Sequence, residues 1–333
     1  MHKQGSKIDF SDQDIFVGFD VHLKSWKVTV MTQHSTMKTF SQDPDADALH
    51  NYLQRNFPGG RYHSAYEAGF CGYWIHNKLL SLGIKSIVVN PADIPTTNKE
   101  IVQKEDKRDS RKIARSLRNG DLTPIYVPAD KTLGDRSLIR LRASMVKDLT
   151  RYKNRIKSFL YFHGVKTPES FSSAQSHWSN RYLLWLESVQ LATESETKTL
   201  GALLQEVRHL RSSVLELTRQ ITKLSKTEPY KQQCLLLQSI PGIGMLTAMT
   251  LLTELETIIR FKNVDKLCSF IGIVPSTSSS GEQEKTGSIT PRGHSVLRSA
   301  IVESSWIAIK HDPALLKDRE ERRVGKECRS RWS

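Results

Sequence analysis

Short apolar runs separated by turn residues dominate the first third of the chain, and they predict an α/β domain. Strands are predicted where the runs are apolar throughout or alternate with polar residues, at 15–20, 24–31, 36–40, 61–66, 84–89 and 125–127. Helices are predicted where apolar residues recur at helical spacing, at 45–55, 73–82 and 107–118. Because hairpin strands come first and helices then alternate with strands, we expect a mixed sheet in a domain spanning 14–128.

A basic helical pattern replaces the strands over residues 129–229. Apolar residues recur at a spacing close to three and four over 137–164 and again over 182–226, with a serine-rich linker at 168–180. This spacing predicts either a long antiparallel helical pair or a coiled coil. The pair could form a core within one subunit or a stalk that joins two subunits, and the sequence leaves both readings open.

A third region, residues 230–317, is predicted to be mostly helical and to contain a helix-hairpin-helix motif. Two helical segments flank the turn Pro241-Gly-Ile-Gly244, in which Gly242 and Gly244 would let the backbone approach a phosphate. The same pattern also fits a plain corner between two helices. The other elements predicted in this region are a helix, a loop and a second helix, at 261–273, 275–287 and 295–309.

The charge of the chain favours a polyanionic partner. Lys and Arg number 49 against 35 Asp and Glu, a formal net charge of +14 at pH 7. Such an excess attracts nucleic acid, although a basic protein that is merely soluble would show it too. The 4 cysteines have no zinc-ligand spacing, and no apolar run reaches the length of a membrane span. We therefore expect a reduced, cytoplasmic protein with no membrane partner and no secretory signal.

Four acidic residues stand where an ordinary surface carboxylate would be hard to explain. Asp20 ends the first apolar run, Glu67 follows another predicted strand, and Asp106 and Asp109 lie one turn apart at the start of a predicted helix. Gathered together, such carboxylates form the oxygen-rich site that Mg²⁺, or Mn²⁺, prefers for phosphoryl transfer. The alternative is that the helix pair are exposed capping residues and that Glu67 is an ordinary surface residue.

Cationic residues accompany both the acids and a serine-rich segment. Lys104, Lys107 and Arg108 flank the acidic pair, where they would suit a phosphate backbone. Ser280 closes a triple serine, and a serine that attacks phosphorus needs cations to bear the developing charge. Such cations follow the serines in the sequence, and they are Lys285, Arg292, His294 and Arg298. A serine-rich segment is more often a flexible linker without chemistry.

The last residues of the chain, 320–333, carry neither helical nor strand periodicity. Their sequence, Glu320-Glu-Arg-Arg-Val-Gly-Lys-Glu-Cys-Arg-Ser-Arg-Trp-Ser333, resembles the translation of a common sequencing adapter. We therefore expect a tail that is not native to the protein, and we leave it out of the fold prediction. The basic excess of the chain survives its removal.

Seven short motifs, taken together, resemble the DEDD transposases of the insertion-sequence-110 family. They follow the family's order between residues 15 and 317, and they are Gly18-Phe-Asp-Val-His-Leu-Lys-Ser25, Tyr66-Glu-Ala-Gly69, Lys104-Glu-Asp-Lys-Arg-Asp109, Ser239-Ile-Pro-Gly-Ile-Gly244, Gly272-Ile-Val-Pro275, Ser280-Gly-Glu282 and Gly287-Ser-Ile-Thr-Pro-Arg-Gly293. No single motif is specific, but the series is. The family usually continues with further helices after the segment that matches 301–317, where this chain carries the adapter-like tail.

The resemblance implies a fold, a chemistry and a set of partners. The fold would be a RuvC-like ribonuclease-H domain, a coiled-coil region and a C-terminal transposase domain. The residues that match the family's Mg²⁺-binding tetrad are Asp20, Glu67, Asp106 and Asp109. Ser280 matches the catalytic serine, which would form a transient phosphoserine link to DNA, and Ser279 and Ser278 are its fallbacks. The partners would be DNA, an element-encoded guide RNA, and further subunits in dimers and tetramers that combine the acids of one subunit with the serine of another.

We therefore expect a bacterial insertion-sequence transposase that cuts and rejoins DNA in the cytoplasm, in association with the nucleoid. One rival is a RuvC-like Mg²⁺-dependent nuclease or junction resolvase whose serines are only a linker. A second rival is a non-catalytic protein that binds nucleic acid through the hairpin motif and the basic helices. The residues predicted to contact nucleic acid are Lys104, Lys107, Arg108, Gly242, Gly244, Lys285, Arg292 and Arg298.

Overall fold

The computed structural model describes residues 9–95, 106–173, 176–280, 283–289 and 292–330. Within these ranges it describes the backbone but not the side chains of 106–108, 277–280, 283–286 and 322–330. The chain forms two compact units, Met1–Val127 and Pro128–Ser333. The division into three regions that the sequence suggests stays a prediction.

A mixed five-stranded sheet forms the N-terminal unit, which confirms the predicted α/β class. Its strands are β1 (Asp14–Val21), β2 (Trp26–Met31), β3 (Thr36–Gln42), β4 (Arg61–Glu67) and β5 (Lys85–Val89). Their spatial order is β3-β2-β1-β4-β5, with β1, β2 and β3 antiparallel and β1, β4 and β5 parallel. The helices are α1 (Ala46–Asn56), α2 (Trp74–Ser81) and α3 (Asp106–Asn119). This arrangement is compatible with the expected ribonuclease-H-like fold.

The alternation of side chains along the strands gives the sheet two different faces. On one face Val17 and Phe19 of β1 are fully buried in a core that also contains the apolar residues of α1 and α2. The other face carries smaller residues, Gly18 of β1 and Ala65 of β4, and Ile113 of α3 packs there. The sheet therefore has helices on both of its faces, as expected when parallel strands lie at its centre.

Helix α3 lies very close to the sheet at Gly18. A methyl group built on Gly18 would collide with the backbone nitrogen of Ala114 and with the carbonyl oxygen of Ser110. Beside this contact, the hydroxyl groups of Thr29 and Ser110 form a buried hydrogen bond of 3.0 Å. Because glycine alone has no Cβ, only glycine at this position lets the helix backbone rest on β1.

The predicted strand at 125–127 is wrong. The structure has only an isolated bridge between Val89 and Pro124, together with a hydrogen bond of 2.8 Å from the Ile125 amide to the Val88 carbonyl. Prolines at 124 and 128 bracket the segment, and neither has an N–H group to donate. The ladder of backbone hydrogen bonds to β5 therefore cannot extend along this segment, although the apolar residues between the prolines resemble a strand.

The second unit is mainly helical and contains one small hairpin. Its helices are α4 (Asp130–Phe162), α5 (Asn180–Ser188), α6 (Glu194–Leu224), α7 (Tyr230–Gln238), α8 (Met245–Leu255), α9 (Val264–Ile271), α10 (Ser295–His311) and α11 (Pro313–Ser330). The hairpin consists of β6 (Pro275–Ser280) and β7 (Gln283–Ile289). Helices α7 and α8 with their glycine turn form the expected helix-turn-helix, whereas its assignment as a helix-hairpin-helix motif stays a prediction.

Helices α4 and α6 form a long antiparallel pair inside the subunit. Ile139, near the start of α4, shares a buried cluster with Ile221, near the end of α6. Ile156 and Leu160, near the end of α4, share another with Leu204, in the first half of α6. The apolar repeat therefore builds a core within one chain, which is one of the two readings that the sequence left open.

The helical pattern predicted over 182–226 is two helices rather than one. Helix α5 ends at Ser188, and α6 begins after Thr193. The Thr193 side chain accepts a hydrogen bond from the Glu196 amide, and the Glu196 carboxylate accepts one from the Thr193 amide, each at 3.2 Å. This capping box starts a new helix inside a continuous apolar pattern.

The predicted loop at 275–287 is also wrong, because most of this segment forms the antiparallel hairpin of β6 and β7. Thr277 pairs with Thr286, and Ser280, the last residue of β6, pairs with Gln283. Threonine favours strands because its branched side chain packs against a cross-strand partner. The serine-rich composition concealed this preference.

The last described helix continues into the adapter-like segment, which the fold prediction leaves out. Helix α11 runs to Ser330. Its Glu, Arg and Lys residues have high intrinsic helix propensity.

The described cysteines Cys71, Cys234 and Cys268 are free thiols. Within the part of the chain that the structure describes, none of the helices combines the length and the apolar character that crossing a bilayer requires.

The substitution Gly18→Ala tests the contact between α3 and β1. We expect it to lower the free energy of unfolding by about 1–3 kcal/mol, because the added methyl group must push the helix off the sheet. Gly69→Ala is the matched control, since a methyl group there would meet no atom within 4 Å. Chemical denaturation of the full chain measures both variants. Equal stability of the two would show that α3 does not rest on Gly18.

Candidate functional site

Two of the predicted acids lie at neighbouring positions on adjacent parallel strands. The register of β1 and β4 pairs Phe19 with Tyr66, so Asp20 and Glu67 are each the next residue along their strands. By alternation both lie on the sheet face of Gly18 and Ala65, which α3 covers. The buried rings of Phe19 and Tyr66 stack 5.2 Å apart on the opposite face and hold the two strand ends in place.

Asp20 has charged and titratable neighbours on this face. The Nε2 atom of His22 lies 3.0 Å from its carboxylate, and the aspartate side chain is 20% exposed. Lys27 of β2 is the antiparallel register partner of Asp20, and its ammonium group donates to the Ser41 hydroxyl at 2.7 Å. The carboxylate of Asp20 is therefore partly accessible at the carboxyl end of β1, beside His22 and opposite Lys27.

The second acidic pair lies in the first turn of α3. Asp109 directly precedes Ser110, whose buried hydroxyl is hydrogen-bonded to Thr29, so this turn lies on the same sheet face as Asp20. The Asp106 backbone belongs to α3, but its side chain lies outside the described part of the chain, as do the side chains of Lys107 and Arg108.

The described residues place Asp20, Glu67 and the start of α3 on one sheet face, and the four-carboxylate metal site stays a prediction. Lys104 lies outside the described residues altogether. Among the described side chains no group of three or more His, Cys, Asp or Glu is arranged to hold a metal ion. The donor set itself, carboxylate oxygens at a strand edge and a helix start, is the kind that Mg²⁺ and Mn²⁺ prefer.

The triple serine lies on the strand that leads to the tip of the β6–β7 hairpin. Ser278 pairs with Lys285, Ser279 with Glu284, and Ser280 with Gln283. Because strand positions alternate between faces, 278, 280 and 285 share one face of the hairpin and 279 lies on the other. The side chains of these residues lie outside the described part of the chain.

The cationic residues after the hairpin have different surroundings. Arg292 is exposed. Arg298 donates from Nη1 to the carbonyl oxygen of Gly272 at 3.1 Å, and Gly272 ends α9 with a left-handed φ of 82°. The His294 amide donates to the carbonyl oxygens of Phe270 and Ile271 at 3.0 and 3.1 Å. Arg298 and His294 therefore both tie α10 to the end of α9.

The glycines of the α7–α8 turn also differ from each other. Gly242 has a φ of +89°, and a methyl group on it would collide with the Ser304 carbonyl oxygen in α10. Close packing between the turn and α10 therefore requires a residue without a side chain at position 242. Gly244 is the N-cap of α8, without a side-chain hydrogen bond, and a methyl group there would meet open space. The phosphate contacts predicted for both glycines stay predictions.

A buried charge network surrounds Glu254 of α8, and the sequence does not predict it. The Glu254 side chain is 1% exposed, and Arg140 donates to both carboxylate oxygens at 2.6 and 2.8 Å. Arg136 Nε lies 3.3 Å from the carboxylate, and His294 Nε2 lies 3.1 Å from it. His294 also accepts the Leu297 amide at Nδ1, 3.4 Å away.

The surroundings of Glu254 fix its charge. Burial alone raises the pKa of the carboxyl, but the hydrogen bonds from His294 and Arg140, with the charge of Arg140, lower the pKa to about 2. The ionised carboxylate therefore joins α4 and α8 to the residue that precedes α10. The sequence signal was one acid in an otherwise uncharged helix, Met245–Leu255.

The sequence of this chain matches two protein families and several known proteins. Residues 17–163 match the DEDD transposase family of IS110, and residues 234–320 match the transposase family IS116/IS110/IS902. The chain is 30% identical over 241 residues to the protein y4qE of Sinorhizobium fredii, covering 72% of this chain and 57% of y4qE. It is 26% identical over 246 residues to the transposase for insertion sequence element IS1533 of Leptospira borgpetersenii, covering 73% and 70%.

A further relative is the transposase for insertion sequence element IS1111A of Coxiella burnetii, which is 23% identical over 243 residues. The match covers 73% of this chain and 64% of that relative. The chain thus spans 57–70% of the length of these three relatives. Both family matches include predicted site residues, since the first contains the four acids and the second contains the triple serine.

The buried Glu254 network predicts acid sensitivity of the helical unit. Because the folded pKa lies below the ordinary value of 4.5, the stabilisation is complete above pH 4.5 and is lost as the pH falls from 4.5 towards 2. The loss should be on the order of 3 kcal/mol. Urea unfolding of the full chain as a function of pH measures it.

Glu254→Gln should lower stability at pH 7 and flatten the pH dependence in that window. Glu303→Gln, at an exposed position of α10, is the matched control and should leave both unchanged. An unaltered acid profile in Glu254→Gln would contradict the assigned ionisation.

Proposed function

The chain belongs to the IS110 family of DEDD transposases, and from this membership we propose that it cuts and rejoins DNA as the transposase of an insertion sequence. The observation that carries the proposal is the placement of Asp20 and Glu67 side by side at the ends of parallel strands. The start of α3, with Asp106 and Asp109, lies on the same sheet face. This is an arrangement from which carboxylates can converge on a metal ion.

In the proposed site the acidic tetrad would hold Mg²⁺ or Mn²⁺, which supplies Lewis-acid stabilisation of the charge on a reacting phosphate. Asp20 and Glu67 would contribute oxygens fixed by the sheet, and Asp106 and Asp109 would contribute oxygens fixed by the helix start. His22 orients the Asp20 carboxylate through their contact of 3.0 Å. Lys104, Lys107 and Arg108 would attract the DNA backbone towards the acids.

Ser280 would act as the nucleophile. The hydroxyl would lose its proton as its oxygen bonds to the phosphorus atom, the bond between phosphorus and the displaced sugar oxygen would break, and that sugar oxygen would take up one proton in exchange. The hairpin tip suits this role because the register places Ser280 last in β6. Lys285 would stabilise the phosphate from the same hairpin face, and Arg292 would approach from the following segment. Ser278 shares that face and is the stronger fallback, because Ser279 lies on the other.

The remaining parts of the proposal rest on the family resemblance. They are an element-encoded guide RNA that pairs with donor and target DNA, assembly into dimers and tetramers, and a composite site formed from the acids of one subunit and the serine of another. Gly242, Gly244 and Arg298 would add contacts to nucleic acid. The setting would be the bacterial cytoplasm, at the nucleoid.

The nuclease or resolvase reading is the second candidate, and one observation favours it. The sheet that carries Asp20 and Glu67 lies in a compact unit, Met1–Val127, which has its own apolar core. Such a unit could hydrolyse DNA without a serine. A covalent protein–DNA intermediate separates the two candidates, because only the transposase forms one.

Replacement of the two strand-end acids tests the metal-dependent chemistry. Asp20→Asn and Glu67→Gln should each reduce Mg²⁺-dependent strand cleavage by about a thousand-fold or more, the scale expected when a group needed by the transition state is lost. Binding of DNA should persist, since the basic residues remain. Asp43→Asn, at an exposed position between β3 and α1, is the control and should cleave normally. Unchanged cleavage in both acid variants would leave only a binding function.

Replacement of the serines one at a time tests the nucleophile. Ser280→Ala should abolish the covalent protein–DNA adduct, detected as a slower band after denaturing electrophoresis, and strand exchange with it. Ser279→Ala should retain both, because position 279 lies on the opposite hairpin face. Adducts that persist in Ser280→Ala and vanish in Ser278→Ala would move the role to 278. Adducts that persist in every serine variant would favour the nuclease.

A further inference from the structure

Each strand-end acid is followed, three residues later, by an exposed apolar side chain. Asp20 is followed by Leu23, which is 79% exposed, and Glu67 by Phe70, which is 70% exposed. Strands β1 and β4 are parallel neighbours, so the segments that leave their carboxyl ends lie side by side. Leu23 and Phe70 thus stand at the same sheet edge as the acids, and we call these two residues the apolar lip.

The backbone that carries the lip is held by hydrogen bonds. In the turn of Leu23, the His22 amide donates to the Ser25 carbonyl at 3.1 Å. In the segment of Phe70, the Gly72 amide donates to the Gly69 carbonyl at 3.2 Å, and the Tyr66 hydroxyl donates to the Gly72 carbonyl at 3.2 Å. The exposure of these side chains is therefore a feature of ordered turns.

The lip differs from the apolar residues around it. Trp74, the first residue of α2, is also half exposed, but its ring lies 6.1 Å from that of the fully buried Trp26. Folding therefore uses the Trp74 ring, whereas most of Leu23 and Phe70 contributes nothing to the core. Single exposed apolar residues are common on proteins, but these two stand at matched positions beside two acids.

We propose that the apolar lip receives an unpaired nucleobase next to the phosphate that Asp20 and Glu67 would hold. The proposal rests on the proposed function of the acids. A base that leaves its stack finds an aromatic face in Phe70, and aliphatic or aromatic side chains of this kind separate base steps in other DNA complexes. Lys24, adjacent to Leu23, and Lys27, the register partner of Asp20, supply positive charge for the flanking phosphates.

The size of the lip favours a base over a second copy of the chain. Stable protein interfaces bury about 800 Å² on each partner, whereas two side chains offer a small fraction of that area. One nucleobase, by contrast, is matched in size to one aromatic ring. The positive charge beside the lip also complements a nucleic acid.

The test compares full-length variants for binding to two single-stranded probes of equal length, oligo(dT) and an oligonucleotide with abasic sugars throughout. Phe70→Ala should weaken oligo(dT) binding about five- to a hundred-fold, the loss expected for one stacked base. Leu23→Ala should weaken it less. Neither should change binding of the abasic probe or the salt dependence of binding, because phosphate contacts remain. Phe70→Trp should restore the affinity.

Met37→Ala provides the matched control, since Met37 is 46% exposed on β3, the edge strand on the far side of the sheet from β5. It should bind both probes normally. Equal binding of oligo(dT) by Phe70→Ala and by the unaltered protein would overturn the proposal. So would an equal loss on both probes, or a changed oligomeric state without a change in affinity. Oligo(U) in parallel shows whether the base comes from DNA or from RNA.

The failure of the lip can be separated from the failure of the proposed function. Asp20→Asn could leave strand cleavage intact while Phe70→Ala still weakens binding of oligo(dT) and not of the abasic probe. That result would support the base-binding role of the lip and contradict the catalytic role of the acids. If cleavage depends on Asp20 but Phe70→Ala binds and cleaves normally, the acidic site stands and the lip is overturned.

Discussion

The contact of α3 with the sheet at Gly18 is the constraint on which the candidate acidic site depends. A helix normally packs on a sheet through side chains, which keep the two backbones apart. Here the backbone at Ser110 and Ala114 rests on a residue without a side chain. This brings the first turn of α3, with Asp106 and Asp109, down to the sheet face on which Asp20 and Glu67 lie. The buried hydrogen bond between Thr29 and Ser110 then fixes the helix at this position.

The C-terminal unit includes a polar hairpin, β6 and β7, whose strands contain few apolar residues. Its helices are joined by the ionised Glu254, which draws Arg140 and Arg136 of α4 towards His294 at the start of α10. Gly242 and Gly272 remove side chains where the turns pass close to neighbouring backbone. The strand that carries Ser280 follows directly after Gly272 of this packed and charged cluster.

The sequence predicts the elements of the sheet well because alternation and apolar runs report burial directly. It predicts the strand-end acids for the same reason, since a carboxylate at the end of a buried run is conspicuous. It fails where the deciding interaction is not local. Pro124 and Pro128 stop a strand that the apolar residues between them suggest, and the Thr277–Thr286 pair forms a strand that the serines conceal. The roles of Glu254 and Gly18 cannot be predicted from the sequence, because both depend on residues that are distant in the chain and come close only in the fold.

We propose that Asp20, Glu67 and the start of α3 converge on a divalent metal ion. The most direct measurement is anomalous X-ray scattering from crystals of the full chain soaked in Mn²⁺. We expect a peak within about 2.0–2.6 Å of carboxylate oxygens from Asp20 and Glu67, with Asp106 or Asp109 completing the ligands. A peak elsewhere, or four carboxylates that bind other groups and leave the sheet edge without metal, would contradict it.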